Sequence, residues 1–599
     1  MGNFSLSHSR IRALIFVMAL VMFVFGLRLV QVQAVQASDY RSRAFNEMEN
    51  TKSLPAPRGE ITDVNGVAFA RSVAATSIVV DQTQISNPAR VAAFVAPILE
   101  LPVQQVQESI TGKRKWNMVY QNAKPALWQK LTKSLAEFNS QFPAMSPSRI
   151  IGFFPERGYI REYPSGSLIA SLVGFVNREG VGASGLESSM NSIISGVDGK
   201  YSYANGYGAE IPGSQSEIIP ALSGTNVRLT IDRDIQWVAS KAISDAVKAS
   251  KAISGTVIVM DPKTGEILAH ATAPTFDPNK TSTVSLVAMR NPSVQDVYEP
   301  GSTGKVMTLA AAIEEKKVSA ETVFNVPYAL KRSDKVFHDH ERHVLQRLTT
   351  AGILAVSSNT GSIQIGELLS NDKFYDYLSK FGVGIKTGSG LPGESKGILP
   401  KVADWSGTSA PTFAFGQGYS LTSMQATSIY ATIANDGIRV SPTTIAGTTD
   451  SSGNFTASAQ RSSQQVVSPE TAKAMRLMLE SVVSDKGTAP AAAIPGYRVA
   501  GKTGTAMRID DTCGCYRGYT ASFIGFAPAD KPAYVISVTI QAPKGLHTGG
   551  GLAGPVFKKV MSFVLQSRHI APTGTKISPV ALTERALIAK KAQDATASN

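Results

Sequence analysis

Near the start of this chain an uninterrupted apolar run, ALIFVMALVMFVFGL, extends from Ala13 to Leu27, with Arg10 and Arg12 before it and Arg28 after it. Counting Leu29 and Val30, the run approaches the roughly 20 residues that cross a bilayer as a helix. Basic residues on its near side and Gln-rich sequence on its far side put the N-terminus in the cytoplasm and all that follows outside. We therefore expect a cytoplasmic tail over 1–12, a transmembrane helix over 13–32, and a single-pass protein whose bulk is extracytoplasmic. A cleaved signal peptide is the alternative, with Val35-Gln36-Ala37 as a small-residue site. Arg28 and the glutamines between run and site favour a retained anchor.

The whole chain of 599 residues, at about 150 per domain, suggests about four folding units. Apolar residues reach 43% and charged residues only 17%, which excludes disordered and coiled-coil classes. Two cysteines cannot build a disulfide framework, so packing must hold the fold. The net charge of +14 suits an anionic lipid surface or wall polymer, and outside the cytoplasm it argues against a nucleic-acid partner.

A polar, helix-like stretch runs to about Asn50, and Leu54-Pro55-Ala56-Pro57-Arg58-Gly59 ends it. The Gly- and Ser-rich stretch from Gly199 to Gly224 is the best domain boundary. Downstream, Gly255 to Met260 and Ile267 to Thr272 read as strands joined by the turn residues Asp261 to Gly265. A long helical region is expected from about 303 to 440, followed by strands at Tyr497 to Ala506, Thr520 to Phe526 and Tyr534 to Gln541. Two strands, a helical block and three strands predict an α+β domain with helices packed on an antiparallel sheet. After Leu565 the tail is polar, with a surface helix over Ala581 to Ala592.

The chemistry lies in three short motifs. Glu299-Pro300-Gly301 stops the chain before Ser302-Thr303-Gly304-Lys305, which opens an apolar helix. Residues i and i+3 share a helical face, so the Lys305 amine lies within reach of the Ser302 hydroxyl. Burial lowers a lysine pKa and makes the amine a general base for a serine nucleophile. Ser357-Ser358-Asn359 and Lys502-Thr503-Gly504 complete the ordered set of penicillin-recognising serine enzymes. Each motif alone is weak. Ser370-Asn371-Asp372-Lys373, Lys263-Thr264-Gly265 and Lys386-Thr387-Gly388 are decoys of the same composition, but only Ser302 follows a helix-starting Pro-Gly and only Lys502 has strand character.

With these motifs the sequence resembles the class B penicillin-binding proteins, and most closely the septal D,D-transpeptidases of bacterial cell division. Similar strings include Arg58-Gly59-Glu60-Ile61-Thr62-Asp63, Arg161-Glu162-Tyr163-Pro164-Ser165-Gly166, Gly185-Leu186-Glu187, Leu229-Thr230-Ile231-Asp232 and Phe415-Gly416-Gln417-Gly418. Gly304 departs from the family, in which a bulkier residue is frequent. The resemblance implies an elongated pedestal of dimerisation type over 33–220, a transpeptidase domain with a five-stranded sheet over 221–567, and a flexible tail over 568–599. It implies that Ser302 is acylated by stem peptides ending in D-Ala-D-Ala and by β-lactams, with Lys305 as base. Ser357, Asn359 and Lys502 would relay protons and orient the peptide. Thr503, Gly504 and Thr505 would bind substrate, and the backbone N–H groups of Ser302 and Thr505 would form the oxyanion hole. No metal or organic cofactor is implied. The implied partners are the cytoplasmic membrane, a membrane-embedded glycan polymerase of the SEDS type and other division proteins. A β-lactamase, a β-lactam sensor and a catalytically silent division scaffold share parts of this pattern and remain as alternatives.

Two features stand apart. His338-Asp339-His340-Glu341-Arg342-His343 reads as a polar surface loop in preference to a metal site, since no companion ligand motif accompanies it. Cys513-Gly514-Cys515 lies outside the cytoplasm, where either a disulfide or two free thiols is open. The anchor reading predicts that protein purified from membranes begins at or near Met1; a soluble form beginning at Ser38, seen by N-terminal sequencing, would refute it.

Overall fold

The computed structural model describes residues 8–37, 49–206, 209–210, 216–510, 512–575 and 580–597. The expected cytoplasmic tail before His8, the expected helix-like stretch over 38–48, part of the Gly- and Ser-rich boundary (207–208 and 211–215) and tail residues 576–579 and 598–599 lie outside the described residues. A helix, α1, covers His8–Val30 and continues through a π-helical turn, Gln31–Val35. Its most apolar 18-residue window has a mean hydropathy of 2.6, and the segment is long and apolar enough to cross a membrane. Phe16, Met22 and Phe25 on different sides of it are all exposed, the pattern of a helix that is apolar all round.

The chain divides into two compact units that interleave in sequence. The first holds 1–57, 74–159 and 196–223. Its core gathers Val91, Val95 and Leu99 from the helix Pro88–Leu99 with Val106, Ile110 and Leu131 from its neighbours, against Ile78 and Val80. Asn87 caps that helix by accepting from the Arg90 amide, and Pro88 opens it without a wasted donor. A strand, Glu49–Leu54, pairs antiparallel with Gly199–Gly206.

The second unit holds 58–73, 160–195 and 224–599. Residues of the pedestal expected over 33–220 fall in both units, and in the second a buried carboxylate gathers the motifs at 58, 161 and 187. Glu187, fully buried, accepts from Arg58 Nε at 2.6 Å and from Arg161 Nε at 2.7 Å. Tyr163 donates to the same carboxylate at 3.5 Å.

A five-stranded antiparallel sheet organises the rest of this unit. Its strands are β1 (Ser254–Met260), β2 (Ile267–Ala273), β3 (Ala500–Asp510), β4 (Cys515–Ala527) and β5 (Tyr534–Gln541), in the spatial order β2-β1-β5-β4-β3. Alternation along β1 assigns the two faces. Gly255 faces Ile243 and Val247 of α2 (Arg233–Ser250), whereas Thr256 donates across the other face to Ser423. Beside it Thr427 bonds Ser537 at 2.7 Å.

The long helical region expected over 303–440 is broken. After α3 (Lys305–Glu314) come two antiparallel strand pairs, Val323–Val326 with Gln346–Thr349 and Ala329–Arg332 with Lys335–His338. Helices resume at α4 (Thr350–Ala355) and α5 (Asn359–Gly366). Four-residue strands carry too few residues for period 2 to stand out from period 3.6.

The tail expected to be flexible is docked. Thr349 donates its amide to Leu582 O at 3.1 Å and its hydroxyl to Ala581 O at 2.6 Å, and Arg347 pairs with Glu584 at the start of a helix, Glu584–Ala597.

Glu187→Ala leaves two guanidinium groups without their carboxylate and is expected to cost about 3–5 kcal/mol. Denaturant unfolding of the detergent-solubilised chain checks this, and a loss below about 1 kcal/mol would contradict a structural role for the cluster.

Candidate active site

Ser302 lies in a 3₁₀ turn, Gly301–Gly304, that runs directly into α3. Gly301 takes a left-handed φ of +54°, and a Cβ there would sit 3.0 Å from Ala506 of β3. Its amide donates to Gly416 O at 2.8 Å, which ties the turn to Phe415-Gly416-Gln417-Gly418. The family departure at Gly304 has a local cause: a Cβ would collide with the Tyr419 hydroxyl. Glu299 bridges the same two segments, accepting from the Gly418 amide and from the Tyr516 hydroxyl, each at 3.0 Å. Burial raises its carboxyl pKa above the ordinary value.

The three motifs converge on one hydroxyl. Lys305, with no exposed surface, donates to Ser357 O at 2.5 Å, Asn359 Oδ1 at 2.8 Å and Ser357 Oγ at 3.3 Å. Lys502, equally buried, donates to Ser357 Oγ at 2.8 Å. Ser357 follows α4 with a φ of +64°, a conformation unusual for a residue with a side chain, and this turn aims both its carbonyl and its hydroxyl at the lysines. The Ser302 side chain, in a partly exposed residue, makes no hydrogen bond among the described residues, and the Lys305 amine that helical spacing puts within its reach is turned to Ser357 and Asn359 in this state. Contacts of this kind commonly tighten only with substrate bound.

Burying two ammonium groups together disfavours charge on both. Burial holds the Lys305 amine down at about 7, with the Asp339 carboxylate pulling the other way. Lys502 is lowered well below the ordinary lysine range, by burial first and by the Lys305 charge second.

Thr503, Gly504 and Thr505 line β3 beside the turn. The Thr503 hydroxyl bonds Thr488 at 2.8 Å, and Thr505 Oγ1 accepts from the Gly549 amide at 3.1 Å. Gly504 is obligatory, because a Cβ would press on Pro300 O at 2.9 Å and Thr303 at 3.1 Å, where the strand crosses the nucleophile turn.

The decoys resolve as structural features. Ser370 caps the helix Asn371–Lys380, accepting from the Lys373 amide, while Lys373 pairs with Glu315. Lys263 to Gly265 form the β1–β2 turn, and Thr387 is bound by Glu394 in a loop. Among the described residues no group of His, Cys, Asp and Glu could hold a metal ion. Cys513 and Cys515 are joined as a disulfide at the tip of the β3–β4 hairpin. Sequence reasoning overlooked Asp339, whose carboxylate accepts from the Asn359 and Thr360 amides and the Ser358 hydroxyl; an acid in a run of histidines gave no signal beyond polarity.

The family described as penicillin binding protein transpeptidase domain matches residues 255–562, and the penicillin-binding protein dimerisation domain matches 53–229. The chain is 36% identical to penicillin-binding protein PbpB of Mycolicibacterium smegmatis over 93% of its length and 90% of that protein's. It is 30% identical to peptidoglycan D,D-transpeptidase FtsI of Escherichia coli over 90% and 87% of the two chains. A structure of penicillin-binding protein 3 from Mycobacterium tuberculosis complexed with aztreonam is similar at a TM-score of 0.68 and 30% identity, covering 89% of this chain and all of that one. This chain belongs to the class B penicillin-binding proteins, in which a dimerisation domain precedes a transpeptidase domain.

With Lys305 held at about 7, its neutral, proton-accepting form gains as pH rises. Acylation by a fluorescent penicillin, followed by stopped-time gel or mass analysis, is therefore expected to accelerate through about pH 7 and level off above it. A rate that falls across this range would contradict the assignment of the base.

Proposed function

We propose that this protein is a serine D,D-transpeptidase that cross-links peptidoglycan stem peptides during septal wall synthesis, held by α1 in the cytoplasmic membrane with its catalytic unit outside. The single observation that carries the reading is the pair of buried lysines meeting at Ser357 beside the Ser302 turn. The septal role rests on similarity to the division enzyme FtsI. Recruitment beside a glycan polymerase of the SEDS type and other division proteins belongs to the same reading.

The chemistry follows from the donors and acceptors present. Ser302 Oγ attacks the carbonyl carbon of the penultimate D-Ala, and Lys305 takes its proton. Ser357, between the two lysines, passes that proton toward the departing amine of the terminal D-Ala as the C–N bond breaks. Asn359 and Lys502 orient the peptide, with Thr503 and Thr505 beside the lysine charge for the substrate carboxylate. Backbone N–H groups of Ser302 and Thr505 stabilise the oxyanion, a contribution of about 10² to 10³ in rate per donor in comparable sites. An amine of a second stem peptide then attacks the ester, forms the new amide and returns the proton to Ser302. β-Lactams acylate the same hydroxyl and stay.

A hydrolase would need a carboxylate free to activate water. Three acids nearby in sequence are committed elsewhere: Glu367 to Arg332, Asp376 to Lys380 and Glu394 to the Thr387 amide.

Ser302→Ala is expected to abolish penicillin labelling with stability changed by less than about 0.5 kcal/mol. Lys305→Ala is expected to slow acylation about 10²- to 10⁴-fold. The wild-type adduct should persist for many minutes in intact-mass measurements. Label mapping to Ser370, or an adduct that clears in seconds while penicillin is consumed, would replace this reading with another serine or with a β-lactamase; no adduct at all would favour a silent scaffold.

A further inference from the structure

The loop bearing Ser357 and Asn359 is fastened by a side chain that none of the three motifs contains. Asp339, buried, lies 18 residues before Ser357 and just beyond the short strand Lys335–His338. Its Oδ1 accepts from the amides of Asn359 at 2.5 Å and Thr360 at 2.9 Å, and its Oδ2 accepts from the Ser358 hydroxyl at 2.6 Å. These donors open α5, where a negative charge is favoured by the helix dipole. The neighbouring His338 O accepts from Asn359 Nδ2 at 3.0 Å, which leaves Asn359 Oδ1 turned to the Lys305 amine. Residues 338 and 339 therefore hold Asn359 by backbone and side chain together.

Asp339 is itself held. His343 Nε2 lies 3.0 Å from Asp339 Oδ2, and its Nδ1 lies 2.7 Å from Val344 O. Both ring nitrogens face oxygen acceptors, an arrangement only the doubly protonated ring satisfies. Burial works against that charge, but the bonds to Val344 and Asp339 outweigh it and raise the His343 pKa above the ordinary value. The Tyr328 ring packs against both His338 and His343, and Tyr328 O accepts from the Asp339 amide at 3.0 Å.

We propose that Asp339, backed by His343, is a positioning residue of the active site: one buried carboxylate fixes the turn that presents Ser357 and Asn359 to Lys305 and Lys502. Without it, three donors at the start of α5 lose their acceptor and the turn can relax away from the lysines. Its charge also acts on Lys305, whose proton it stabilises against burial. Charged groups near this cluster include His343 and Arg342 on the same loop, the latter over the Tyr328 ring, and Lys305 on α3. A carboxylate that only held the fold together would leave the titration of the Lys305 base where it is.

The inference rests on the function proposed above, and the test separates the two. Acylation of the full, detergent-solubilised chain by a fluorescent penicillin is measured from pH 5 to 9 for wild type, Asp339→Asn and Asp339→Ala, with thermal unfolding of each sample. Asp339→Asn preserves shape and an acceptor for the two amides; its acylation inflection is expected to move to lower pH with the plateau largely kept. Asp339→Ala is expected to slow acylation about tenfold or more at every pH, because misplaced groups are costly in rate. Asp339→Asn with the wild-type inflection and rate overturns the proposal, whether Asp339→Ala is inactive, unfolded or normal. Wild-type protein that takes no label defeats the transpeptidase reading and this proposal with it, whereas a labelled wild type with an unmoved Asp339→Asn profile defeats this proposal alone.

Discussion

Two ammonium groups buried around one serine hydroxyl impose the main physical constraint on the catalytic unit. Neither Lys305 nor Lys502 has exposed surface, and both direct their Nζ atoms at Ser357. A buried ammonium must find hydrogen-bond acceptors or give up its proton. The site does some of each: Ser357 O, Ser357 Oγ and Asn359 Oδ1 satisfy the donors, while burial lowers both pKa values and the Lys305 charge lowers that of Lys502 further. Desolvation is what would let Lys305 serve as the proposed general base near neutral pH, with no histidine in the three motifs.

Holding this arrangement requires unusually close backbone approaches. Gly301, Gly416 and Gly504 stand where the nucleophile turn meets its neighbours, and a Cβ at any of them would meet backbone atoms. Glu299 then links the turn to the loop at Gly418 and to Tyr516 on β4. The cost of these contacts falls on a rigid sheet whose two faces are covered by helices, so the reacting groups rest on elements that pack tightly. Elsewhere in the unit, Glu187 plays a comparable part for Arg58 and Arg161, with buried charge satisfied by charge.

Much of the site was legible as a sequence because the chemistry of each motif is local. Pro300-Gly301 before Ser302 announced a turn entering an apolar helix, and the spacing to Lys305 placed two side chains on one face. The five strands of the sheet were readable from apolar runs and turn residues, although β3 and β4 extend further along their hairpin than expected, to Asp510 and from Cys515. The strands over 323–349 were not legible, since each has four residues and borrows its order from a partner. The tail gave a polar signal that hid its docking, because Thr349 binds the backbone carbonyls of Ala581 and Leu582 and not their side chains.

The sequence by itself determined the long apolar helix and the α+β class, and it singled out Ser302, Lys305 and Lys502 as the proposed nucleophile and its lysines, all of which depend on residue type and short spacing. Only the tertiary structure decided what those groups do to one another. It turned Lys305 toward Ser357 and Asn359 in this state, bound the Thr503 and Thr505 hydroxyls to Thr488 and Gly549, and brought Asp339 from a run of histidines to the start of α5. The reason is that hydrogen-bond partners and desolvation are set by which distant segments come within about 3 Å, and no local pattern carries that information.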